Sequence, residues 1–325
     1  MFNAFKTVIF LTGAHLAISG IEALAQPYPI RPIQLLLSSA PGGGTDIVGR
    51  LIAKSLSETW KQSVVIVNKP GADGTVATEI AAKASPDGYT LLMVSSSHGI
   101  NPALRSDLRY DTLKDFAAIT QIANQQLILV VHPNVPAKTV KDLIVLAKAN
   151  PGGLNYGSST VATALPMELF KSMAGANIVQ IPFRGTGMMM IDLLGGQIQT
   201  SIAGAVASIP HIKSGKLRAL GIAGYKRSSF LPDLPTIAES GVPGYQATVW
   251  TVMLAPIKIS RARLSFLNRE VVKIIKSESF EDRLHELGSD GVASTPEEAD
   301  KFVAAEIVKW TRIVKDTGMK SDGPN

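Results

Sequence analysis

The chain has 325 residues, of which 46% are hydrophobic and 18% are charged, and its formal net charge is +6. This length suits one large domain or two ordinary ones, and the composition is typical of a folded protein. The basic residues are scattered, without a basic block and without interleaved aromatic residues. The positive charge therefore indicates attraction of small anions and argues against nucleic-acid binding. There is no cysteine, which excludes disulfides, thiolate nucleophiles, thiolate metal sites and lipid attachment at an N-terminal cysteine.

Residues 1–25 have the pattern of a secretory signal peptide. Lys6 supplies a sparse positive start, the stretch from Thr7 to Ile18 is largely apolar, and Ala23-Leu24-Ala25 fits the small-x-small cleavage rule. The alternative is an uncleaved membrane anchor, but the apolar stretch is short for a span and polar residues interrupt it. We therefore expect cleavage after Ala25 and a mature chain that is exported and not inserted in a membrane.

Strands and helices alternate along the rest of the chain. A buried strand is predicted from Ile33 to Leu37, and a helix with one apolar face from Thr45 to Thr59. The following predicted strands are 64–67, 89–94, 127–131, 154–157, 178–181, 198–202 and 217–222, with helices at 74–84, 139–149, 164–173, 187–194 and 206–214. A last helix begins at a T-P-E-E capping box, Thr295 to Glu298, and ends near Thr317. This alternation predicts parallel sheets with helices on both faces, and too many elements for one sheet.

Four loops rich in Gly, Ser and Thr follow predicted strands. On sheets of this kind ligands bind beyond the carboxyl ends of the strands, where loops lead into helix N-termini. Such loops offer backbone N–H groups and hydroxyls, which suit a carboxylate or a phosphate. The four loops are SSAPGGGTD (38–46), SSSHGINP (95–102), GSSTVAT (157–163) and PFRGTG (182–187).

The first of these loops is a candidate anion site. The backbone amides of Gly43 to Asp46 would be its donors. The alternatives are a plain tight turn at the glycines and ordinary N-capping by Thr45 and Asp46. No G-K-[ST] follows, so the loop is not a Walker loop, and it is a poor dinucleotide fingerprint. Neither a metal nor a cofactor is predicted.

The run NKPGADGTVATEIAAKASPDGYTLL (68–92) resembles the signature of the substrate-binding receptors of tripartite tricarboxylate transporters, the Bug receptors. The stretches APGGGTD, INPAL, YDTLKDFAAIT, DLLGGQ, PHIKSGKLRAL and LPDLPTIAESGVPGY match the same family in order, over nearly the whole mature chain. The resemblance implies a two-lobed periplasmic binding protein of type II. It implies that the lobes close on a small carboxylate and present it to the membrane components of a tripartite carrier. We expect the protein to be a monomer.

The resemblance also implies how the chain is divided. A first lobe would comprise residues 26–126 and 256–325, and a second lobe residues 127–255 with the crossover segments. Each lobe would hold a mostly parallel sheet flanked by helices. The two crossovers are expected near 127–132 and 246–255, where the sequence is apolar and extended in pattern.

The candidate ligand-binding residues come from the loops after predicted strands and, for the second lobe, from the resemblance. Ser96 to His98 would line the cleft floor, although His98 could equally bond only to backbone. Ser158 to Thr163 would face them from the second lobe, with helix capping as the alternative. Arg184 could grip a carboxylate with two hydrogen bonds or form a surface ion pair. The complete predicted set is Ser39, Gly43, Gly44, Thr45, Asp46, Ser96, Ser97, His98, Ser158, Ser159, Thr163, Phe183, Arg184, Gly185, Thr186 and Ala203.

Two departures from the family pattern concern the ligand. Ser38 and Ser39 stand where the family usually has Pro and an aromatic residue, and Gln199 and Ala203 stand where it often has Asp. A buried ammonium needs an anionic partner, and Asp46 remains as one only if local amides leave it free. The sequence therefore predicts an organic acid without an amine: a di- or tricarboxylate, or an aromatic acid in the room left by Ser39.

No sequence feature marks a catalytic centre. The histidines after residue 25 are His98, His132, His211 and His285, and none has metal-ligand or nucleophile-base spacing. GxSxG is absent. We therefore expect a binding protein and not an enzyme. The alternatives are an exported α/β hydrolase or transferase that uses Ser96 or His98 on a small carboxylate, and a ligand sensor for a two-component system.

Overall fold

The computed structural model describes residues 28–228 and 231–318. The predicted signal peptide lies outside these residues. The strands are β1 (Ile33–Leu37), β2 (Val64–Asn68), β3 (Thr90–Ser95), β4 (Phe116–Gln125), β5 (Leu127–Val131), β6 (Asn155–Ser158), β7 (Val179–Pro182), β8 (Thr200–Gly204), β9 (Arg218–Ile222), β10 (Val249–Pro256) and β11 (Ser289–Gly291). The helices are α1 (Gly44–Trp60), α2 (Thr75–Ala82), α3 (Ser97–Leu104), α4 (Val140–Ala149), α5 (Val161–Ala174), α6 (Thr186–Leu194), α7 (Ala205–Lys213), α8 (Arg261–Ile275), α9 (Glu278–Glu286) and α10 (Pro296–Thr317).

These strands form two sheets, one in each lobe. The first has the order β11-β4-β10-β3-β1-β2, and the second has the order β7-β6-β8-β5-β9. Helices flank both sheets, so the predicted two-lobed α/β fold is confirmed. The sheets are mixed and not mostly parallel: β3-β1-β2 and β7-β6-β8 are parallel, whereas the pairs made by β4, β5 and β10 are antiparallel.

The antiparallel pairs arise where the chain passes between the lobes. Only Gln126 separates β4 from β5, so the chain runs from one sheet into the other without turning back. The return segment ends in β10, which lies between β4 and β3 of the first sheet. The predicted second lobe, 127–255, therefore includes most of a strand that pairs in the first sheet. We propose that the division between the lobes falls before Val249.

Local signals explain several helix boundaries. Thr139 and Asp142 form a capping box at α4, and Thr295 and Glu298 form the one that the sequence predicted at α10. In α1 the buried residues recur at helical spacing and pack against the core of the first lobe. Within the described residues no helix is both long enough and apolar enough to cross a membrane.

Helix α10 packs against both lobes. Trp310 belongs to the core cluster that also contains Leu165 and Phe170 of α5 in the second lobe. Trp250 of β10 lies in a core cluster of the first lobe. Between them lies Glu306, which is 8% exposed and whose Oε2 accepts hydrogen bonds from both indole Nε1 atoms, each at 2.9 Å. The buried carboxylate is thus satisfied while it joins two cores.

Candidate functional site

The side chain of Gln125 lies between the two lobes, against Gly44 and Gly204, and we call this region the cleft. A Cβ atom added to Gly44, at the start of α1, would lie 3.0 Å from its Nε2. A Cβ atom added to Gly204, just before α7 in the second lobe, would lie 3.1 Å from its Oε1. The N-termini of α1 and α7 therefore approach the same amide from opposite lobes. Gln125 was not predicted, because nothing in its local sequence distinguishes it.

Three helices that follow loops near the cleft begin without a side-chain cap. The N-cap residues of α1, α6 and α7 are Gly43, Gly185 and Gly204, and none provides a capping hydrogen bond. By contrast, hydroxyl side chains cap α4, α8 and α10, namely Thr139, Ser260 and Thr295. The first N–H groups of a helix have no intrahelical acceptor and carry partial positive charge. These three N-termini can therefore donate hydrogen bonds to an anion.

Asp46 stabilises the glycine turn and is not open to a ligand. Its Oδ2 accepts hydrogen bonds from the Gly42 amide and Arg50 Nε, both at 2.9 Å, and its Oδ1 accepts one from Asn68 Nδ2 at 2.8 Å. Burial alone would raise the pKa of Asp46, but the hydrogen bonds from Arg50, Gly42 and Asn68 outweigh it and hold the pKa below its usual value. The Asp46 carboxylate therefore stabilises the turn, as in the alternative of local hydrogen bonding, while the role of its backbone amide as a ligand donor stays a prediction.

Ser39 and Thr45 lie beside this turn. The Oγ atom of Ser39 is buried and has no hydrogen-bond partner among the described residues. It would lie 3.6 Å from a Cβ atom added to Gly43, so it faces the turn whose amides are the predicted donors. Thr45, in the first turn of α1, is 6% exposed. Ser39, Gly43 and Gly44 thus lie together at this turn, and their contact with a ligand stays a prediction.

The residues predicted for the cleft floor, Ser96, Ser97 and His98, are buried. Ser96 is buried, and its Oγ accepts a hydrogen bond from the Trp250 amide at 2.8 Å. The His98 ring stacks on Tyr110 and meets Phe116 edge-on, with centroids 6.2 and 5.7 Å apart. Ser97 between them is also buried. No hydrogen bond joins Ser96 to His98, and each of these two side chains, suggested separately for an enzyme, is buried.

In the second lobe, some of the predicted ligand-binding residues take part in helix capping. The Oγ1 of Thr163 accepts hydrogen bonds from the amides of Ser159 and Thr160, each at 3.2 Å, as in the alternative of helix capping. Ser158 is buried and its Oγ accepts a hydrogen bond from Gln180 Nε2 at 2.9 Å. The Oγ of Ser159 lies 3.1 Å from Thr186 Oγ1, which joins the loops after β6 and β7. Ser159 and Thr186 therefore remain as candidate ligand groups.

The remaining predicted ligand-binding residues lie partly in the core and partly at the surface. The Phe183 ring packs over Gly157, where an added Cβ atom would lie 3.2 Å from Cε2. Ala203 is 1% exposed and lies in the core of the second lobe. Phe183 is thus half-buried against this core, and Ala203 is part of it. Arg184 is exposed and makes no ion pair with any described residue, and Gly185 next to it has open space around its Cα.

A residue outside the predicted set connects the lobes. The Oδ1 of Asp73, in the first lobe, accepts a hydrogen bond from the Val161 amide at the start of α5 at 3.2 Å. Asp73 has φ 54°, and its carbonyl oxygen accepts a hydrogen bond from Asn101 Nδ2 at 3.2 Å. Burial raises the pKa of Asp73, against the opposing effects of the Val161 amide and Arg105. The only sequence signal was an acidic residue in a glycine-rich turn.

Comparison with known proteins identifies relatives along almost the whole chain. A family model described as the tripartite tricarboxylate transporter family receptor matches residues 48–319. Protein BugT of Bordetella pertussis is 34% identical over 319 residues, which cover 96% of this chain and 98% of BugT.

Solved structures agree with this relationship. The structure of Rpa4515 of R. palustris with adipate has a TM-score of 0.86 at 34% identity, and the match covers 90% of this chain and 99% of that one. MatC from Rhodopseudomonas palustris with bound malate has a TM-score of 0.81 at 29% identity, with coverage of 88% and 100%. The protein belongs to the receptor family of the tripartite tricarboxylate transporters.

Proposed function

We propose that the protein captures a small organic acid between its two lobes in the periplasm and delivers it to the membrane components of a tripartite carrier. One observation carries this proposal: three helices, α1, α6 and α7, begin with glycine N-caps on the loops of the cleft. Their first-turn N–H groups come from both lobes, so one anion can be held from both sides. The Ala205 amide of α7, which donates to the Gln126 carbonyl at 2.9 Å, is not among these donors. Two structurally similar receptors contain adipate and malate, which are dicarboxylates.

The proposed binding mode uses fixed backbone donors and few charged side chains. One carboxylate lies between the first turns of α1 and α7, close to Gln125, and the Ser39 hydroxyl is available to donate to it. A second carboxylate lies toward α6, where Ser159 and Thr186 provide hydroxyls. Helix dipoles favour the negative charge without a buried cation. The exposed guanidinium of Arg184 attracts the anion to the mouth of the cleft.

An amine in the ligand is disfavoured by the same arrangement. The three donors on Asp46 occupy its carboxylate. The Oε1 of Gln199 accepts a hydrogen bond from the Asn155 amide at 2.9 Å, and Ala203 lies in the core. An ammonium group would therefore be buried without one of these partners, at a considerable cost in free energy. The favoured ligand is a di- or tricarboxylate, or an aromatic acid, that has no amino group.

Calorimetric titration of ligand-free protein tests the proposal. The protein is unfolded, washed and refolded to remove any bound acid, and the removed acid is identified by mass spectrometry. Matched pairs such as succinate and aspartate are then compared, together with adipate and malate. We expect tighter binding of the acid that lacks the amine. Failure to bind any carboxylate, or tighter binding of the amino acid, would contradict the proposal.

A further inference from the structure

The start of α5 differs from the starts of α1, α6 and α7. Its Val161 amide donates a hydrogen bond to Oδ1 of Asp73, which lies in the first lobe, at 3.2 Å. Its Thr163 amide donates to the Thr160 carbonyl at 3.1 Å. A carboxylate of the protein itself thus occupies the position at which an anionic ligand would bind to the N-terminus of this helix.

The Asp73 carboxylate lies close to the cleft loops of both lobes. In the first lobe, a Cβ atom added to the neighbouring Gly74 would lie 2.8 Å from Ser38 Cβ, so the two loops are packed together. In the second lobe, Ser159 precedes Val161 by two residues, and its Oγ contacts the hydroxyl at the start of α6. Because consecutive Cα atoms are about 3.8 Å apart, the carboxylate lies within roughly 10 Å of the Ser159 Cα atom.

The negative charge of Asp73 is not neutralised by an ion pair with any described residue. Arg105 is the basic residue whose charge acts on it, but the Arg105 guanidinium donates two hydrogen bonds to Asp107, at 3.0 and 2.9 Å. Burial raises the pKa of Asp73 because the charged form is poorly solvated there. A fixed negative charge in such a place repels a further carboxylate within about 10 Å.

We infer that Asp73 determines ligand specificity by excluding a third carboxylate from the cleft. This inference rests on the proposed capture of an organic acid between the lobes. There, the first turns of α1 and α7 hold one carboxylate, and α6 with Ser159 and Thr186 holds a second. At α5 the Val161 donor is taken and a negative charge lies beside it, so a third carboxylate would be repelled without gaining this hydrogen bond. The ligand class therefore narrows to dicarboxylates, and tricarboxylates are rejected.

Calorimetric titration of the ligand-free protein with glutarate and tricarballylate tests the inference. Tricarballylate is glutarate with one more carboxylate on the central carbon, so the two acids differ in a single group. At about pH 8 the carboxylates of both acids are ionised. Wild type should bind glutarate about tenfold more tightly, because the added carboxylate is repelled by Asp73.

Two substitutions of Asp73 separate its charge from its contact. Asp73→Asn keeps the shape and an acceptor for the Val161 amide but removes the charge, so the preference for glutarate should fall about fivefold. Asp73→Ala also removes the acceptor, so glutarate should bind more weakly while the preference falls to the same extent. Asp282→Asn, which removes an exposed carboxylate on α9, should keep the wild-type preference.

Equal binding of the two acids by wild type, or an unchanged preference in Asp73→Asn, would overturn the inference and leave the proposed function intact. A preference that falls in Asp73→Ala alone would show a closure contact only and would overturn the inference too. Failure of wild type to bind glutarate would also overturn it. The proposed function would fail with it only if succinate, adipate and malate did not bind either.

Discussion

The carboxylate of Asp73 in the first lobe accepts a hydrogen bond from the backbone amide of Val161, the first residue of α5 in the second lobe. The acceptor is charged and the donor is the N-terminus of a helix, so the contact combines a hydrogen bond with a favourable helix dipole. It ties the lobes together without any ligand group. Closure of the cleft is therefore supported by the protein itself as well as by the captured anion.

Asp73→Ala should weaken closure. Loss of one hydrogen bond of this kind is expected to reduce the affinity for the bound acid about fivefold, because the closed state loses a contact that the open state lacks. Scattering with and without ligand should show a smaller radius of gyration for loaded wild type, and a smaller change for the variant. Asp282→Ala, which removes an exposed carboxylate on α9, is the matched control. Equal affinity and equal compaction in all three proteins would contradict the prediction.

Gly44→Ala should weaken ligand binding through Gln125. An added methyl group at residue 44 would lie 3.0 Å from the Gln125 amide and would push it toward the cleft. We expect an affinity loss of about tenfold, which corresponds to about 1.4 kcal/mol. The double variant Gly44→Ala/Gln125→Ala removes the obstructing group, so the two substitutions should not be additive. Strict additivity would show that Gln125 does not mediate the effect.

His98 should make folding stability depend on pH. An unfolded histidine takes up a proton near pH 6.5, whereas folded His98 does so only near pH 4. Between these values the unfolded state binds more protons, so stability falls as the pH falls. Urea unfolding should show that acidification from about pH 6.5 to about 4.5 costs wild type about 2 to 3 kcal/mol more than it costs His98→Phe. An identical loss in both proteins would contradict this prediction, whatever the stability of the variant at neutral pH.

Export should remove the first 25 residues. If Ala25 precedes the cleavage site, the mature protein begins at Gln26 and is recovered from the periplasm without detergent. Intact-mass measurement checks the new N-terminus. As a control, Ala25→Trp should block processing, because the cleavage site requires a small residue there. Recovery of the whole chain in a membrane fraction would contradict the prediction.

The parts of the fold that depend on local signals were predictable. Capping residues and apolar periodicity define α1, α4 and α10, and their predicted boundaries agree with the structure within two residues. The segment that forms β10 was recognised as apolar and extended, but not as a strand of the first sheet. An apolar run carries no information about its partners, and β10 pairs with strands more than 120 residues earlier in the chain.

Only the backbone donors of the candidate site could be predicted from the sequence. A glycine-rich turn before a helix predicts amide donors, and Gly44 of this turn lies against Gln125, which also meets Gly204 of the second lobe. Side-chain roles depended on tertiary contacts. Asp46 is occupied by Arg50 and Asn68, whose approach a spacing pattern does not reveal, and Asp73 finds its partner 88 residues along the chain.

Glu306 also determines what tryptophan fluorescence would report. Two of the three tryptophans in the chain, Trp250 and Trp310, donate their indole N–H to this one carboxylate, and one of them packs in each lobe's interior. Indole emission is sensitive to the position of a nearby charge. If one lobe rotates against the other, the negative charge shifts relative to at least one ring. A change in tryptophan emission on adding an organic acid would thus signal rotation at α10. The tryptophan fluorescence of this receptor would report lobe movement.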